Sequence, residues 1–308
     1  MKNRTAVIDL GTNTFNLIIA EKNEGALNEL VHLEEGVKLG EGGINKGNIQ
    51  EAAFLRGMQM MKHFSGLLKK YEVSNYKAIA TSAIRNAKNG PDFIKQVKVQ
   101  TGIVIESING QKEAEYIYGG VKSSGALSDK TSLILDIGGG SVECILCNHS
   151  ELFWKESFEI GAARLMDIFH KEDPIPSEKI TELNRYLEEK LEPLFEQCKI
   201  FKPHNLIGSA GAFDTFVEMI ETEKGNDVDL RELKTYLFDS IAFAEITDWL
   251  CTSSHEQRIN RKSIIPLRVD MIVTASILTG FIIEKLGVKE IGMSAYSMKE
   301  GILSKLIR

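Results

Sequence analysis

Apolar positions along the chain fall into short strand-like runs separated by longer stretches with helical spacing. Residues 5–21 read as two strands joined by a turn at Gly11, and residues 27–39 as a third strand. The glycine-rich stretch Gly40 to Gly47 reads as a loop. Ile49, Ala53, Leu55, Met58, Met61, Phe64, Leu67 and Leu68 recur at mostly helical spacing, and Lys69 and Lys70 suit that helix's C-terminal end. Its methionines are expected as core filler. YKAIAT (76–81) predicts a buried strand, Asp92 to Gln100 a helix, and GIVIESI (102–108) a strand. Another helix begins near Asn109–Gly110, and KSSGALSDKT (122–131) reads as a linker.

The second half opens with LILDIGGGSVECIL (133–146), again strand, glycine turn, strand. LFWKESFEI predicts a further strand, and Gly161 to Phe169 a helix broken by Asp173, Pro174 and Pro176. Residues 177–198 carry a helical repeat that Pro193 ends or kinks. In NLIGSAGAFDTF (205–216) a short strand meets a small-residue turn and then a helix. Residues 229–285 read as mostly helical with a break at HEQRINRKSIIPLR. A strand over 287–294 and a closing helix, MKEGILSKLIR, follow.

The two glycine turns are copies of one pattern. Asp9 matches Asp136, Gly11 matches Gly138, and Thr14 matches Ser141. An internal repeat changes the fold expected of a chain, here to two similar domains whose turns face each other across a cleft. Successive glycines allow φ > 0 and close approach of a ligand, and their amides can converge on an anion. Asp136 and Glu143 flank the second turn with carboxylates, which suits a phosphate–metal complex; a glycine hairpin with no ligand is the plain alternative.

Other candidates lie where strands end. Thr81, Ser82 and Arg85 follow the strand at 76–81, the place where ligands bind in open α/β sheets. Arginine's forked donors match phosphate, although, taken alone, a surface salt bridge explains Arg85 better. Glu113 and Glu115 sit near a helix start, where the dipole already favours carboxylates; Glu113 is the first candidate general base and Glu115 the weaker one. Gly208, Ser209, Ala210 and Gly211 form a third turn before a helix, but no G-K-[ST] follows, so it is not a Walker A loop. Arg258, Arg261, Lys262 and Arg268 form the densest basic cluster, read either as a solubilising loop or as an electrostatic guide for a polyanion.

Composition narrows these readings. The 308 residues allow two domains, and 43% hydrophobic with 26% charged content is ordinary for a globular protein. A net charge of −6 argues against wholesale coating of nucleic acid or membrane. MKNRTAVIDL runs straight into a strand, so no signal peptide is expected, and no apolar stretch is long enough for a bilayer. Cys144 and Cys147 form a C-x-x-C, but on a strand residues three apart point to opposite faces, which predicts core thiols in a reducing cytoplasm.

Five segments in order carry a family resemblance: DLGTNTFNLIIAE, ATSAIRNAKNG, GQKEAEYIYGGV, DIGGGSVE and PLRVDMI. The chain resembles the exopolyphosphatase and guanosine pentaphosphate phosphatase family of the actin-like ATPase superfamily. That resemblance implies an α/β fold with two ribonuclease H-like domains around a central cleft. They are expected over 1–125 and 126–308, with the helix at 298–308 packing back on the first. It implies Mg²⁺-assisted hydrolysis of a terminal phosphoanhydride of polyphosphate, or of guanosine pentaphosphate, with release of orthophosphate. Under it, Gly11, Thr12, Asn13, Thr14, Gly138, Gly139, Gly140, Ser141, Gly208 and Ser209 hold phosphates. Arg85, with Thr81 and Ser82, stabilises the transferred group, Glu113 activates the water, and Asp136, Glu143 and Asp9 hold the metal. A homodimer is an expectation from the family only, whereas the expectation of no nucleic acid polymer and no membrane as partner comes from the net charge. GSAG and SMKEG depart from the family's usual Gly-Gly-Thr and Gly-x-Arg-Glu-Gly. Long members carry a further C-terminal helical domain. A chain ending at residue 308 resembles the short form, expected to favour shorter chains or a nucleotide. A kinase of the same superfamily and a non-catalytic nucleotide sensor or scaffold are the rival readings; neither an acceptor site nor a lost carboxylate marks the sequence as one of them.

Overall fold

A computed structural model describes residues 4–23 and 26–307. The chain divides into two compact units, residues 1–120 with 298–308, and residues 121–297.

The first unit begins with β1 (Arg4–Leu10), β2 (Thr14–Asn23) and β3 (Ala26–Gly36), an antiparallel meander. α1 (Glu51–Lys70) leads to β4 (Asn75–Ala80), the single turn α2 (Ser82–Arg85), α3 (Gly90–Thr101), β5 (Ile105–Ser107) and α4 (Gly110–Ser124). The sheet order is β3-β2-β1-β4-β5, with β1, β4 and β5 parallel. This is the ribonuclease H-like arrangement. Alternation sorts the side chains: Ala6, Ile8, Leu10, Phe15, Leu17 and Ile19 enter one core with Met58, Met61, Phe64 and Phe93 of α1 and α3. Each large apolar side chain so buried contributes roughly 1.5–3 kcal/mol. Leu55 departs from the expected stripe and stands 57% exposed, because the buried face of α1 runs through Gly57, Met61, Phe64 and Leu68.

The second unit repeats this plan. β6 (Ser132–Ile137), β7 (Val142–Cys147) and β8 (Leu152–Phe158) form the meander. α5 (Ala162–Phe169), α6 (Ser177–Lys190) and α7 (Glu192–Phe201) follow, then β9 (Asn205–Ser209) and α8 (Gly211–Glu223). β10 (Thr235–Leu237), α9 (Ser240–Thr252), α10 (His255–Ile259), α11 (Met271–Leu286) and β11 (Glu290–Ser294) complete it. Its order, β10-β11-β9-β6-β7-β8, is the first sheet plus one antiparallel edge strand. Even the irregularity recurs: register shifts fall after Ile19 in β2 and after Leu146 in β7, equivalent positions of the repeat.

Three boundaries differ from the sequence expectation. Residues 122–124 continue α4 rather than opening a linker. The long helix at 177–198 is two helices, with Pro193 in the first turn of α7, where its missing N–H costs nothing. Residues 229–239 are not helical and include β10, too short to show alternation. α12 (Met298–Leu306) belongs to the first unit. A Cβ on its Gly301 would lie 1.9 Å from the Tyr116 carbonyl oxygen, so glycine is what lets α12 close on α4.

Cys144 and Cys147 are fully buried on opposite faces of β7, Cys144 within the core. Burial raises the Cys144 thiol well above its ordinary pKa and pushes Cys147 up to about 12. No described helix is long and apolar enough to cross a membrane.

Candidate active site

The turn between β6 and β7 is held from behind. The carbonyl of Gly138 accepts from Ala162 N–H at 2.9 Å. That of Gly139 accepts from Ala163 and Arg164 N–H at 3.0 and 3.2 Å. Gly140 accepts from Gly161 N–H at 3.2 Å and from Arg164 Nε at 3.1 Å. The start of α5 therefore takes up every carbonyl of the three glycines. Among the described residues, the N–H groups of Gly139, Gly140 and Ser141 enter no hydrogen bond. Such a row of amides is the anion-binding feature of a glycine turn. None of Gly11, Gly138, Gly139 and Gly140 has positive φ, so the expected left-handed turn is not the reason for glycine here. Close approach is. A Cβ on Gly138 would lie 3.0 Å from Ser141 O, and one on Gly161 would lie 2.5 Å from Gly139.

Asp136 and Glu143 are direct cross-strand partners, hence on one face of the sheet, and are 7% and 1% exposed. Ser209 Oγ donates to Asp136 Oδ2 at 2.6 Å, and Ser157 Oγ donates to Glu143 Oε1 at 2.6 Å. Ser157 escaped the sequence reading because only strand register brings it beside Glu143. Oxygen donors of this kind suit a hard divalent cation. Among the described residues no three His, Cys, Asp or Glu side chains cluster as a cage. A pair of carboxylates fits Mg²⁺, which keeps water and phosphate oxygens as its other ligands.

The first unit builds its turn in the same way. Gly11 N–H donates to Thr14 O at 3.0 Å, as Gly138 N–H does to Ser141 O. Thr12 and Asn13 present their carbonyls to the segment after β3: Gly40 N–H reaches Thr12 O at 3.0 Å, and Val37 and Lys38 N–H reach Asn13 O at 2.9 and 2.8 Å. Asp9 pairs across the hairpin with Asn16, where the second unit has a glutamate.

Beyond β4, Thr81 N–H donates to Leu10 O at 3.3 Å, which ties the strand end to the first hairpin. Ser82 is buried and its Oγ accepts from Asn86 Nδ2. Arg85 Nη1 meets Glu113 Oε2 at 2.8 Å, both largely buried, and also donates to the Ile108 carbonyl at 3.2 Å. The two residues singled out as catalytic are thus brought together although 28 positions apart. Glu115 instead pairs with Lys112 on the surface.

The third turn places Gly208 against the Phe213 ring, 2.0 Å from a notional Cβ, and spends the Ser209 hydroxyl on Asp136. Ala210 adopts φ 68, ψ 177, a conformation that strains any residue with a Cβ. The basic cluster is not a free cationic surface. Arg258 is fully buried and donates to Val269 O at 2.7 Å, to the Ser253 carbonyl, and to Asp173 at 2.5 Å. Arg261 pairs with Glu223 and lies 4.4 Å from the Trp249 ring. Arg268 covers Gly211 and donates to Thr215 Oγ1 at 3.3 Å. Pattern alone could not separate buried from exposed arginines.

Repeat and sheet order define a two-unit α/β protein of the ribonuclease H-like class, with paired carboxylates beside its second glycine turn. A sequence model of the Ppx/GppA phosphatase family matches residues 18–308, and the chain belongs to that family. Among solved structures, it is 37% identical to an exopolyphosphatase from Cytophaga hutchinsonii, with a TM-score of 0.96 over 99% of this chain and 97% of that one. It is 25% identical to the Ppx/GppA enzyme of Aquifex aeolicus, with a TM-score of 0.80 over 98% of this chain and 99% of that one. A guanosine-5'-triphosphate,3'-diphosphate pyrophosphatase of Aeromonas hydrophila is 23% identical over 98% of this chain, which spans 59% of that protein.

Proposed function

We propose that the chain is an exopolyphosphatase, releasing orthophosphate from the end of inorganic polyphosphate by in-line attack of water. The observation that carries this reading is the Gly138–Ser141 turn, with the carbonyls of its glycines satisfied from behind, the N–H groups of Gly139, Gly140 and Ser141 unspent and two buried carboxylates at its base. The likeness to the Cytophaga exopolyphosphatase supports polyphosphate over guanosine pentaphosphate as the substrate.

In this reading the turns Gly138–Ser141 and Gly11–Thr14 bind phosphate oxygens through amides and hydroxyls other than the Gly138 and Gly11 N–H groups, which close the turns. Glu113 orients the attacking water and takes its proton, and Arg85 fixes that carboxylate and stabilises the transferred phosphoryl group through its positive charge. Thr81 and Ser82 add hydroxyls beside it. Asp136 and Glu143, with Asp9, are the residues for Mg²⁺, which when bound neutralises charge on phosphate oxygens. Ser209 and Ser157 hold Asp136 and Glu143 in orientation, and Gly208 lets Phe213 pack beneath. A cytoplasmic homodimer is the proposed working form.

One assay tests the reading. Phosphate release with Mg²⁺ is measured side by side from short polyphosphate, long polyphosphate, guanosine pentaphosphate and ATP. Highest kcat/KM on polyphosphate is the expected result. A higher value on guanosine pentaphosphate would reassign the substrate, and phosphate transfer only to an added acceptor would make the protein a kinase.

A further inference from the structure

Each glycine turn has one carbonyl that takes two successive N–H groups from its bracing segment, at the third residue of the turn in the first unit and at the second in the second unit. Asn13 O accepts from two successive N–H groups, Val37 and Lys38, and Gly139 O accepts from two successive N–H groups, Ala163 and Arg164. In each unit the second of these two donors is a cationic residue, Lys38 in the first and Arg164 in the second. Their fates differ. Arg164 turns inward, with Nε on the Gly140 carbonyl and Nη2 on Glu159 at 2.9 Å. Its charge is used to hold the turn. Lys38 is exposed and makes no ion pair or side-chain hydrogen bond among the described residues.

The backbone around Lys38 is built with some effort. Lys38 has φ 49, a left-handed conformation uncommon in residues with a Cβ. Arg56 clamps it in place: Nε donates to Val37 O at 2.9 Å, Nη2 to Lys38 O at 3.1 Å, and Nη2 also to Glu41 at 2.7 Å. Arg56 thereby neutralises the carboxylate of Glu41 on the same loop and leaves Lys38 uncompensated.

Two more lysines share the loop system. Lys46 lies in the short 3-10 turn Ile44–Lys46. Lys88 donates its N–H to Gly47 O at 2.9 Å, and Asn89 ties the same link to Ile49 through two hydrogen bonds of 2.9 Å. Lys46 and Lys88 are exposed, and neither has an ion pair among the described residues. Loop 37–49 is therefore anchored to the Thr12–Asn13 turn at one end and to the α2–α3 link at the other; the loop carries two uncompensated positive charges, Lys38 and Lys46, and the link carries a third, Lys88.

We propose that Lys38, Lys46 and Lys88 form a rim that binds the internal phosphates of a polyphosphate chain whose terminal group is held at the Gly11–Thr14 turn. The proposal deepens the exopolyphosphatase reading and rests on it. A linear polyanion with a charge at every phosphate gains from each added cation, whereas a nucleoside polyphosphate presents its base and sugar beyond a few phosphates. The rim is then a specificity device that sets chain-length preference, with Lys38 its main member because its backbone is fixed to the turn.

The test compares the native chain with the triple variant Lys38→Glu, Lys46→Glu, Lys88→Glu and with the triple Lys→Arg variant. KM and kcat are measured on tripolyphosphate and on long polyphosphate over a range of salt, and binding of fluorescently labelled long polyphosphate is titrated directly. The charge-reversed variant is expected to raise KM and the dissociation constant for the long chain by about 10- to 100-fold. Its KM on tripolyphosphate should rise far less, and its dependence on salt should flatten. The Lys→Arg variant keeps the native chain-length profile. Long-chain KM and binding within twofold of native in the charge-reversed variant would overturn the proposal, as would an equal loss on both substrates. If the native chain released no phosphate from any polyphosphate, the hydrolase reading would fail. The labelled-chain titration would still decide whether the three lysines bind the polyanion.

Discussion

The two glycine turns share a hydrogen-bond plan and differ in what is placed around it. Gly11 and Gly138 make the same 3.0 Å bond to Thr14 and Ser141, and each turn has its carbonyls taken by the segment after the third strand. In the second unit that segment is a helix, and the cross-strand pair behind the turn is Asp136 with Glu143. In the first unit it is a glycine-rich loop, and the pair is Asp9 with Asn16. The strand ends beyond the turns also diverge. β4 runs into a single helical turn that delivers Arg85 to Glu113, while β9 runs through the strained Ala210 into a 13-residue helix. One topology thus presents two different sets of side chains: the second unit a buried carboxylate pair suited to a cation, and the first the largely buried Arg85–Glu113 ion pair. Strand register puts both side chains of each pair on one face whichever residues they are, so the two hairpins differ there by a glutamate against an asparagine.

The largest expected effect falls in the first unit. Glu113→Gln should lower kcat by ~10²–10⁴-fold with KM little changed. Glu115→Gln, on the surface with Lys112, is the internal control and should leave both constants near native. Near-normal turnover in Glu113→Gln would remove that residue from water activation.

Next in size is the structural arginine of the second unit. Arg258→Ala should cost about 3–5 kcal/mol in a denaturant titration, since it strands buried partners. Burial opposes the charge on Asp173, but hydrogen bonds from Arg258 and the His255 N–H, with Arg258's charge and His170, outweigh it and hold its pKa below the ordinary value. A lowered carboxylate contributes stability above its unfolded pKa of about 3.9 and loses it as pH falls through the folded value. Asp173→Asn should therefore flatten the acid limb of the stability profile. An unchanged acid limb would show that the pair does not govern it.

Making the second hairpin like the first gives an intermediate effect. Glu143→Asn should shift the midpoint of the Mg²⁺ activation curve upward by about 10- to 100-fold, in line with losses seen when groups around a metal are removed. An unmoved midpoint would separate this pair from the cation.

The smallest effect concerns the third turn. Ala210→Gly removes the strain of a Cβ at φ 68, offset by glycine's extra chain entropy, for a net gain of about 1 kcal/mol in unfolding free energy. A loss of stability would mean that the alanine methyl packs usefully there.

Much of the fold is legible in the sequence because alternation and helical spacing report which face of an element is buried. The strands around Gly11 and Gly138, α1, α3 and α11 all stand near their expected positions. The repeat of Asp, Gly and Thr or Ser is likewise plain, since a topology used twice needs the same small residue at the same tight contact. Short or boundary features are less legible: β10 has three residues, and α4 runs on through Ser124 because nothing local stops it.

What the sequence determined by itself is the pair of similar units, the candidate phosphate turns, and the residue types available for acid–base and metal chemistry. Tertiary structure decided which of those residues meet. Arg85 reaches Glu113 only because β4 and β5 lie side by side, Ser157 and Ser209 reach Glu143 and Asp136 only through register, and Arg258 is a buried clamp while Lys38 is exposed. Periodicity encodes burial along one element; partnership across elements depends on distances that no single stretch of chain contains.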